Sequence, residues 1–314
     1  MTSAPALAPS RPSRSRRTCH AVPGSSERFL AKAAGLAADQ VFLDLEDAVA
    51  QGEKDNARRL VVAALNEQEF EAATVVVRVN GTDTPHYYKD LITVVEEAGE
   101  RLDAIMLPKV RTPGDVEMTD KLLTQIELAK GYAVGRIGIE AQIEDATGLI
   151  ACERIATASP RMETLIFGPG DYSAAIGIPV TTIGGAPDGY PGDHLNYLYS
   201  RLVVAARAAG IQAIDGPYAA VKDEEGLRDR ARLARALGLD GKWTIHPGQI
   251  EIVNEVFSPT REEWERAEAI LAAYEEADRS GRGAAMFQGE MIDEANRKMA
   301  QRVAKAGRAA GYAG

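Results

Sequence analysis

The stretch "VFLDLEDAVA", residues 41–50, decides how this chain folds. Four apolar residues and three carboxylates share the seven positions from Val41 to Asp47. One reading is a half-buried strand whose polar residues face water. The other is a parallel strand, buried on both faces, that delivers Asp44, Glu46 and Asp47 to a site at its C-terminal end.

The flanking sequence bears on that choice. Seven further apolar runs occur: "TCHAVP" (18–23), "ATVVVRV" (73–79), "AIMLP" (104–108), "IGIEAQI" (137–143), "TLIFG" (164–168), "IQAID" (211–215) and "KWTIH" (242–246). Helical patterns lie between them, near 26–38, 54–66, 86–99, 114–130, 147–158, 194–209, 223–237 and 247–255. Strand alternating with helix eight times predicts a parallel sheet, and the count fits a closed (β/α)8 TIM barrel. No GxGxxG follows the first strand, which disfavours a dinucleotide-binding sheet. After the eighth unit, "SPTREEWERAEAILAAYEEADRSG" (258–281) and a segment near 291–309 predict two extra helices. The expected organisation is a disordered tail over 1–16, a catalytic barrel over 17–257 and a C-terminal helical extension over 258–314.

Composition narrows the function. The 314 residues are 45% hydrophobic and 26% charged, as expected of a soluble globular chain. With 36 basic against 46 acidic residues the net charge is −10, which argues against a binder that works by general attraction to nucleic-acid phosphates. No apolar run reaches the roughly 18 residues needed to span a bilayer. The two cysteines, Cys19 and Cys152, lack metal-type spacing and predict reduced thiols in a cytoplasmic protein. The first residues are rich in Ser, Pro, Ala and Arg without an acid, a composition that overlaps with import peptides as the alternative to a plain tail.

Active sites of such barrels lie at the C-terminal strand ends. Those ends carry Glu46-Asp47, Arg78, Asn80, Pro108-Lys109, Glu144, Asp171, Asp215 to Tyr218 and His246-Pro247. Glu144 in "AQIEDATGL" and Asp171 in "FGPGDYSAAIG" follow neighbouring strands, so their carboxylates are placed to share a Mg²⁺ ion. The bland alternatives are a turn residue for Asp171 and a helix-start carboxylate for Glu144. Gly170, in the "GPGD" turn, lets backbone amides approach an anion. Arg78 offers a planar fork for a carboxylate or carbonyl oxygen, or a salt bridge to an acid at the barrel mouth. His86 and His194 read as surface residues, and His246 as structural or ligand-adjacent.

Taken in order, "VPGSSERFLAKAA", "VFLDLEDAVA", "VVVRVNGTDT", "IMLPKV", "IEDATGL", "FGPGDYSAAIG", "QAIDGPY", "IHPGQI" and "FQGEMID" resemble the HpcH/HpaI aldolase and citrate lyase β-subunit superfamily. "RVNGTDTPHYYKDL", "TTIGG" and "GKWTIHPGQIEIVNEVFSP" resemble its malyl-CoA and β-methylmalyl-CoA lyases most. The resemblance implies a Mg²⁺-dependent carbon–carbon lyase, with Mn²⁺ as a substitute metal and coenzyme A as part of the substrate. It implies Glu144 and Asp171 as metal ligands, Arg78 as the substrate-binding arginine and Asp47 as an acid near metal-bound water. Arg17 and Lys32 fall where the family contacts coenzyme A. Asp293 matches an acid brought in from the adjacent subunit of a trimer or hexamer, and is the residue expected to move protons. Citramalyl-CoA lyase and malyl-CoA thioesterase activities are the enzymatic alternatives, and a catalytically silent binding barrel is the alternative from another class.

Overall fold

The computed structural model describes residues 12, 14–190 and 192–312. The chain divides into two compact units, Met1–Asn254 and Glu255–Gly314, three residues earlier than the boundary expected from sequence.

The first unit is a closed barrel of eight parallel strands in sequential order. Its strands are β1 (Thr18–Pro23), β2 (Gln40–Asp44), β3 (Thr74–Arg78), β4 (Ala104–Leu107), β5 (Gly138–Ile143), β6 (Met162–Phe167), β7 (Gln212–Asp215) and β8 (Gly241–Thr244). The helices around them are α1 (Glu27–Ala33), α2 (Lys54–Glu67), α3 (Tyr87–Ala98), α4 (Pro113–Lys130), α5 (Ala146–Ala156), α6 (Pro169–Ile176), α7 (Asn196–Ala209), α8 (Glu224–Ala236) and α9 (Ile250–Phe257). Helix α6 has no counterpart among the predicted segments, because its eight residues, which start inside the "GPGD" stretch and stop before Gly177, are too few to show a period.

All five residues of β2 are buried, which settles the two readings of the opening stretch in favour of a strand covered on both faces. The inward face follows the two-residue period of a strand. Phe42, Val76, Met106, Ile166, Ile214 and Trp243 fill the middle of the barrel, with Cys19 and Ala104 beside them. Two positions further along the same faces stand Asp44 and Arg78. The inside therefore changes from apolar to charged on moving toward the C-terminal ends.

The opposite end is closed by the residues just before β1. Arg16 is buried, its Nε 2.8 Å from Gln40 Oε1 and 2.8 Å from Glu140 Oε1, with Glu163 and Gln212 as further acceptors. Glu163 is available because the β5–β6 register shifts, Ile139 pairing with Met162 and Glu140 with Thr164. That shift turns its carboxylate toward the α-carbon of Gly138, where any side chain would collide. Arg14 adds an ion pair to Asp103 at 2.8 Å. Residues 14–16 are thus a fixed part of the barrel, correcting the expectation of a disordered tail over 1–16; residues 1–11 and 13 lie outside the described residues.

Two polar side chains on the strands face away from the barrel interior. Asp215 points outward from β7, where it is buried against Lys242 Nζ at 2.6 Å and Tyr199 Oη at 2.9 Å. His20, outward on β1, has its Nδ1 2.9 Å from Thr244 Oγ1. Burial, and secondarily His246, depress its pKa to about 4. A base with a depressed folded pKa stabilises fully above its unfolded value near ~6.5 and loses that contribution as pH falls toward the folded value. We expect His20→Gln to flatten the stability–pH curve between pH 6.5 and 4 by roughly 3 kcal/mol, measured by urea denaturation at each pH; parallel curves for the two proteins would refute this.

The second unit contains α10 (Arg261–Arg279), a hairpin of β9 (Ala285–Phe287) and β10 (Glu290–Ile292), and α11 (Glu294–Ala309). The two helices pack through Ala267, Ala300 and Ala304, with Ile270, Leu271 and Val303 around them. The hairpin strands are three residues each and were not evident in the sequence. Among the described residues, no helix is long and apolar enough to cross a membrane.

Candidate active site

Arg78 is the centre of the charged end. Its guanidinium makes a two-pronged contact with Asp44, Nε to Oδ1 at 2.7 Å and Nη2 to Oδ2 at 2.6 Å. Glu46 lies 3.2 Å away and Gln142 Oε1 3.4 Å. Below it, the cation rests over the rings of Trp243 and Phe42, 5.2 and 5.8 Å from their centroids. Those rings themselves touch at 4.4 Å. Burial alone would lower the Arg78 pKa, but the Asp44 and Glu46 carboxylates outweigh it and raise it. The fork is therefore a fixed positive charge on an aromatic floor.

The three acids of the opening stretch divide the work. Asp44 also accepts the Glu46 and Ala48 amides, at 2.9 and 3.2 Å, which folds the chain back over the strand end. Lys54 Nζ holds the Leu45 and Glu46 carbonyls at 2.8 and 2.7 Å. Glu46 pairs with Lys109, and burial raises its pKa despite Arg78. Asp47 is exposed, 3.1 Å from Lys109 Nζ. Burial pushes its pKa up, but hydrogen bonds with Glu46 and Lys109 hold it below the usual carboxylate value.

Lys109 has φ = 52°, a left-handed conformation that a lysine rarely adopts. In that conformation its amide donates to Glu144 Oε1 at 2.9 Å. Glu144 is buried, and a β-carbon on Gly168 would stand 2.5 Å from its Cγ, so only glycine lets the carboxylate sit there. Burial first, then contact with the Asp171 carboxyl, pushes the Glu144 pKa well above the ordinary value. Asp171 is in the first turn of α6, after Gly168, Pro169 and Gly170. A buried carboxylate facing a second carboxylate is a donor pair that needs a cation. The hard oxygens suit Mg²⁺, with further positions left to water and substrate oxygens. Among the described residues, no group of three or more His, Cys, Asp or Glu side chains forms a more complete cage.

The structure thus brings Arg78, Asp47, Glu144, Gly170 and Asp171 to one end of the barrel. His246 also follows a strand end; it is exposed and accepts the Gly248 amide at 3.2 Å. Lys32 lies exposed in the last turn of α1. Arg17 does not join them. It precedes β1, at the opposite end of the barrel, and its Nε and Nη2 hold the two oxygens of Asp39 at 2.9 and 2.7 Å. Its assignment to coenzyme A is corrected on that ground. Asp293 is in the second unit, where it caps α11 by accepting the Ala295 and Asn296 amides at 2.8 and 3.3 Å. Asp44, Glu46 and Lys109 were placed at the strand ends by the sequence without a role; in the structure Asp44 and Glu46 hold Arg78, and the Lys109 amide holds Glu144.

Residues 17–247 match the model of the HpcH/HpaI aldolase/citrate lyase family. The chain belongs to that family. It is 40% identical over 304 residues to the L-malyl-CoA/β-methylmalyl-CoA lyase of Cereibacter sphaeroides, covering 94% of this chain and 95% of the relative. It is 39% identical to the (3S)-malyl-CoA thioesterase of Cereibacter sphaeroides over 274 residues, 87% of each chain. Among solved structures, the CitE protein of Mycobacterium tuberculosis in complex with magnesium, acetoacetate and coenzyme A superposes with a TM-score of 0.73. That structure is 30% identical, over 93% of this chain and 97% of the other.

Proposed function

We propose that this enzyme is a Mg²⁺-dependent lyase that cleaves (S)-malyl-CoA to acetyl-CoA and glyoxylate, and β-methylmalyl-CoA to propionyl-CoA and glyoxylate. The observation that carries the reading is the facing pair Glu144 and Asp171 beside a buried, forked Arg78 at the strand ends. The near-full-length likeness to a lyase of that name supports it.

In the cleavage, the bond between the hydroxyl-bearing carbon and the carbon next to the thioester breaks. The hydroxyl proton leaves, its oxygen becomes the glyoxylate carbonyl, and the thioester enolate takes up a proton at carbon. When bound between Glu144 and Asp171, Mg²⁺ would supply Lewis acidity at the substrate hydroxyl and carboxylate. Arg78, held rigid by Asp44 and its aromatic floor, meets the negative charge that develops on the thioester oxygen without reorganising. Asp47 and Lys109 order the polar rim where protons exchange with water. Asp293 carries the proton to or from carbon, acting in this reading from a neighbouring subunit. Coenzyme A contacts fall to Lys32 and His246, and the setting is the cytoplasm. Met286, Met291 and Met299 leave 68%, 72% and 61% of their surfaces exposed on the second unit, which supports a homo-oligomer in which they are covered.

Glu144→Gln and Asp171→Asn, each nearly isosteric, are expected to weaken Mg²⁺ binding by at least about 10- to 100-fold. Calorimetric Mg²⁺ titration reads this without turnover, and unchanged isotherms would remove the ligand assignment. Mass spectrometry of products, with Mg²⁺ or with EDTA, tests the reaction. Metal-dependent acetyl-CoA and glyoxylate support it, whereas free coenzyme A with malate replaces it by thioester hydrolysis.

A further inference from the structure

We infer that Ile183, on the connector between α6 and α7, sets the size of the 2-oxoacid that the site releases. The inference rests on the lyase reading and deepens it. The three atoms nearest to a β-carbon built on Gly170 all belong to Ile183: Cδ1 at 3.3 Å, Cγ1 at 3.4 Å and Cγ2 at 3.7 Å. Its side chain therefore lies directly over the glycine that precedes Asp171. Its backbone is anchored. The Ile183 carbonyl accepts the Ala219 amide at 3.0 Å, and the next residue, Gly184, has φ = 78° with its α-carbon face against the Pro217 carbonyl. The segment after β7 is anchored in turn by Gln249 Nε2 donating to the Tyr218 carbonyl at 2.9 Å. Gly216 also packs against Pro169 and the Phe167 carbonyl, so the ends of β6 and β7 adjoin.

The chemistry places the discriminating substituent here. A substrate that presents hydroxyl and carboxylate to Asp171 and Glu144 puts its carboxylate toward the first-turn amides of α6, which have no intrahelical acceptors. The carbon bearing both groups carries hydrogen when glyoxylate is released and methyl when pyruvate is released. That substituent projects beside Gly170, against the nearest apolar wall, which is Ile183. Yet 42% of the Ile183 surface is exposed, so the side chain is a wall of the site more than a part of the core. Shortening it removes a contact on the substrate side and leaves the barrel packing intact.

The test compares the wild-type protein with Ile183→Val and Ile183→Ala on malyl-CoA and citramalyl-CoA, with Mg²⁺. We expect Ile183→Ala to raise the ratio of kcat/KM for citramalyl-CoA over malyl-CoA by about tenfold or more, with Ile183→Val between. An unchanged ratio, or an equal loss on both substrates, overturns the inference while a lyase-active wild type keeps the proposed function. Direct pyruvate titration followed by saturation-transfer NMR reads the same residue without turnover. In that measurement Ile183→Ala should bind pyruvate about tenfold more tightly relative to glyoxylate. If the wild type cleaves neither thioester, the lyase reading fails, and the pyruvate titration alone upholds or overturns Ile183 as the size gate.

Discussion

Arg78→Met is expected to cost about 3–5 kcal/mol of folding stability and to lower kcat by about 10²–10³. The stability loss comes from Asp44. Its carboxylate is buried, 2.6 and 2.7 Å from the guanidinium, and methionine fills the space without answering the charge. The rate loss has a separate origin, because in the proposed mechanism the same fork meets the charge that develops on the thioester oxygen. Arg78→Lys separates the two. An ammonium restores a counter-charge to Asp44, so most of the melting temperature returns, but it lacks the planar pair of donors and leaves kcat depressed at least about tenfold. Thermal denaturation and steady-state kinetics on malyl-CoA check both halves. A methionine variant that melts like the wild type would show that Asp44 does not depend on its partner.

Asp293→Asn is expected to lower turnover by about 10²–10⁴ with no change in melting temperature. Asn and Asp are equally good helix starts, and the Asn carbonyl oxygen accepts the Ala295 and Asn296 amides as the carboxylate does. What asparagine cannot do is exchange a proton. Asp293→Ala should lose about 1 kcal/mol in addition, from the cap. Mixing Asp293→Asn with Arg78→Lys subunits tests where the acid acts. Activity per subunit well above both parents places Asp293 in a neighbour's site, and activity equal to the weighted mean of the parents places it in its own. Wild-type kcat in Asp293→Asn would leave the residue as a cap alone.

The strands were legible because a parallel strand covered on both faces must be an apolar run, and each of the eight runs is one. Their polar ends led to Arg78, Glu144 and Asp171 for the same reason: the charged residues begin where the apolar core stops. What sequence could not carry was pairing over distance. "SRSRR" reads as a solvated basic run, and only the closed barrel brings Arg16 to Glu140 and Glu163, 124 and 147 positions away. The Arg17 assignment failed on direction, since a residue preceding a strand stands at the end away from the site. Lys109 was visible as a cation, but its left-handed backbone, which aims its amide at Glu144, has no signature in composition.

The plug formed by Arg16 has a consequence for how the protein is made. This arginine leaves the ribosome ahead of every strand of the barrel, and its partner Gln212 follows 196 positions later. Until residues 140 and 163 have emerged, the early cation lacks these carboxylate partners, and until residue 212 its set of acceptors is incomplete. Synthesis from one end therefore cannot complete this barrel strand by strand. The last strands have to return to the first, and Arg16 waits as the latch of a ring that shuts only once β8 has been made and pairs with β1.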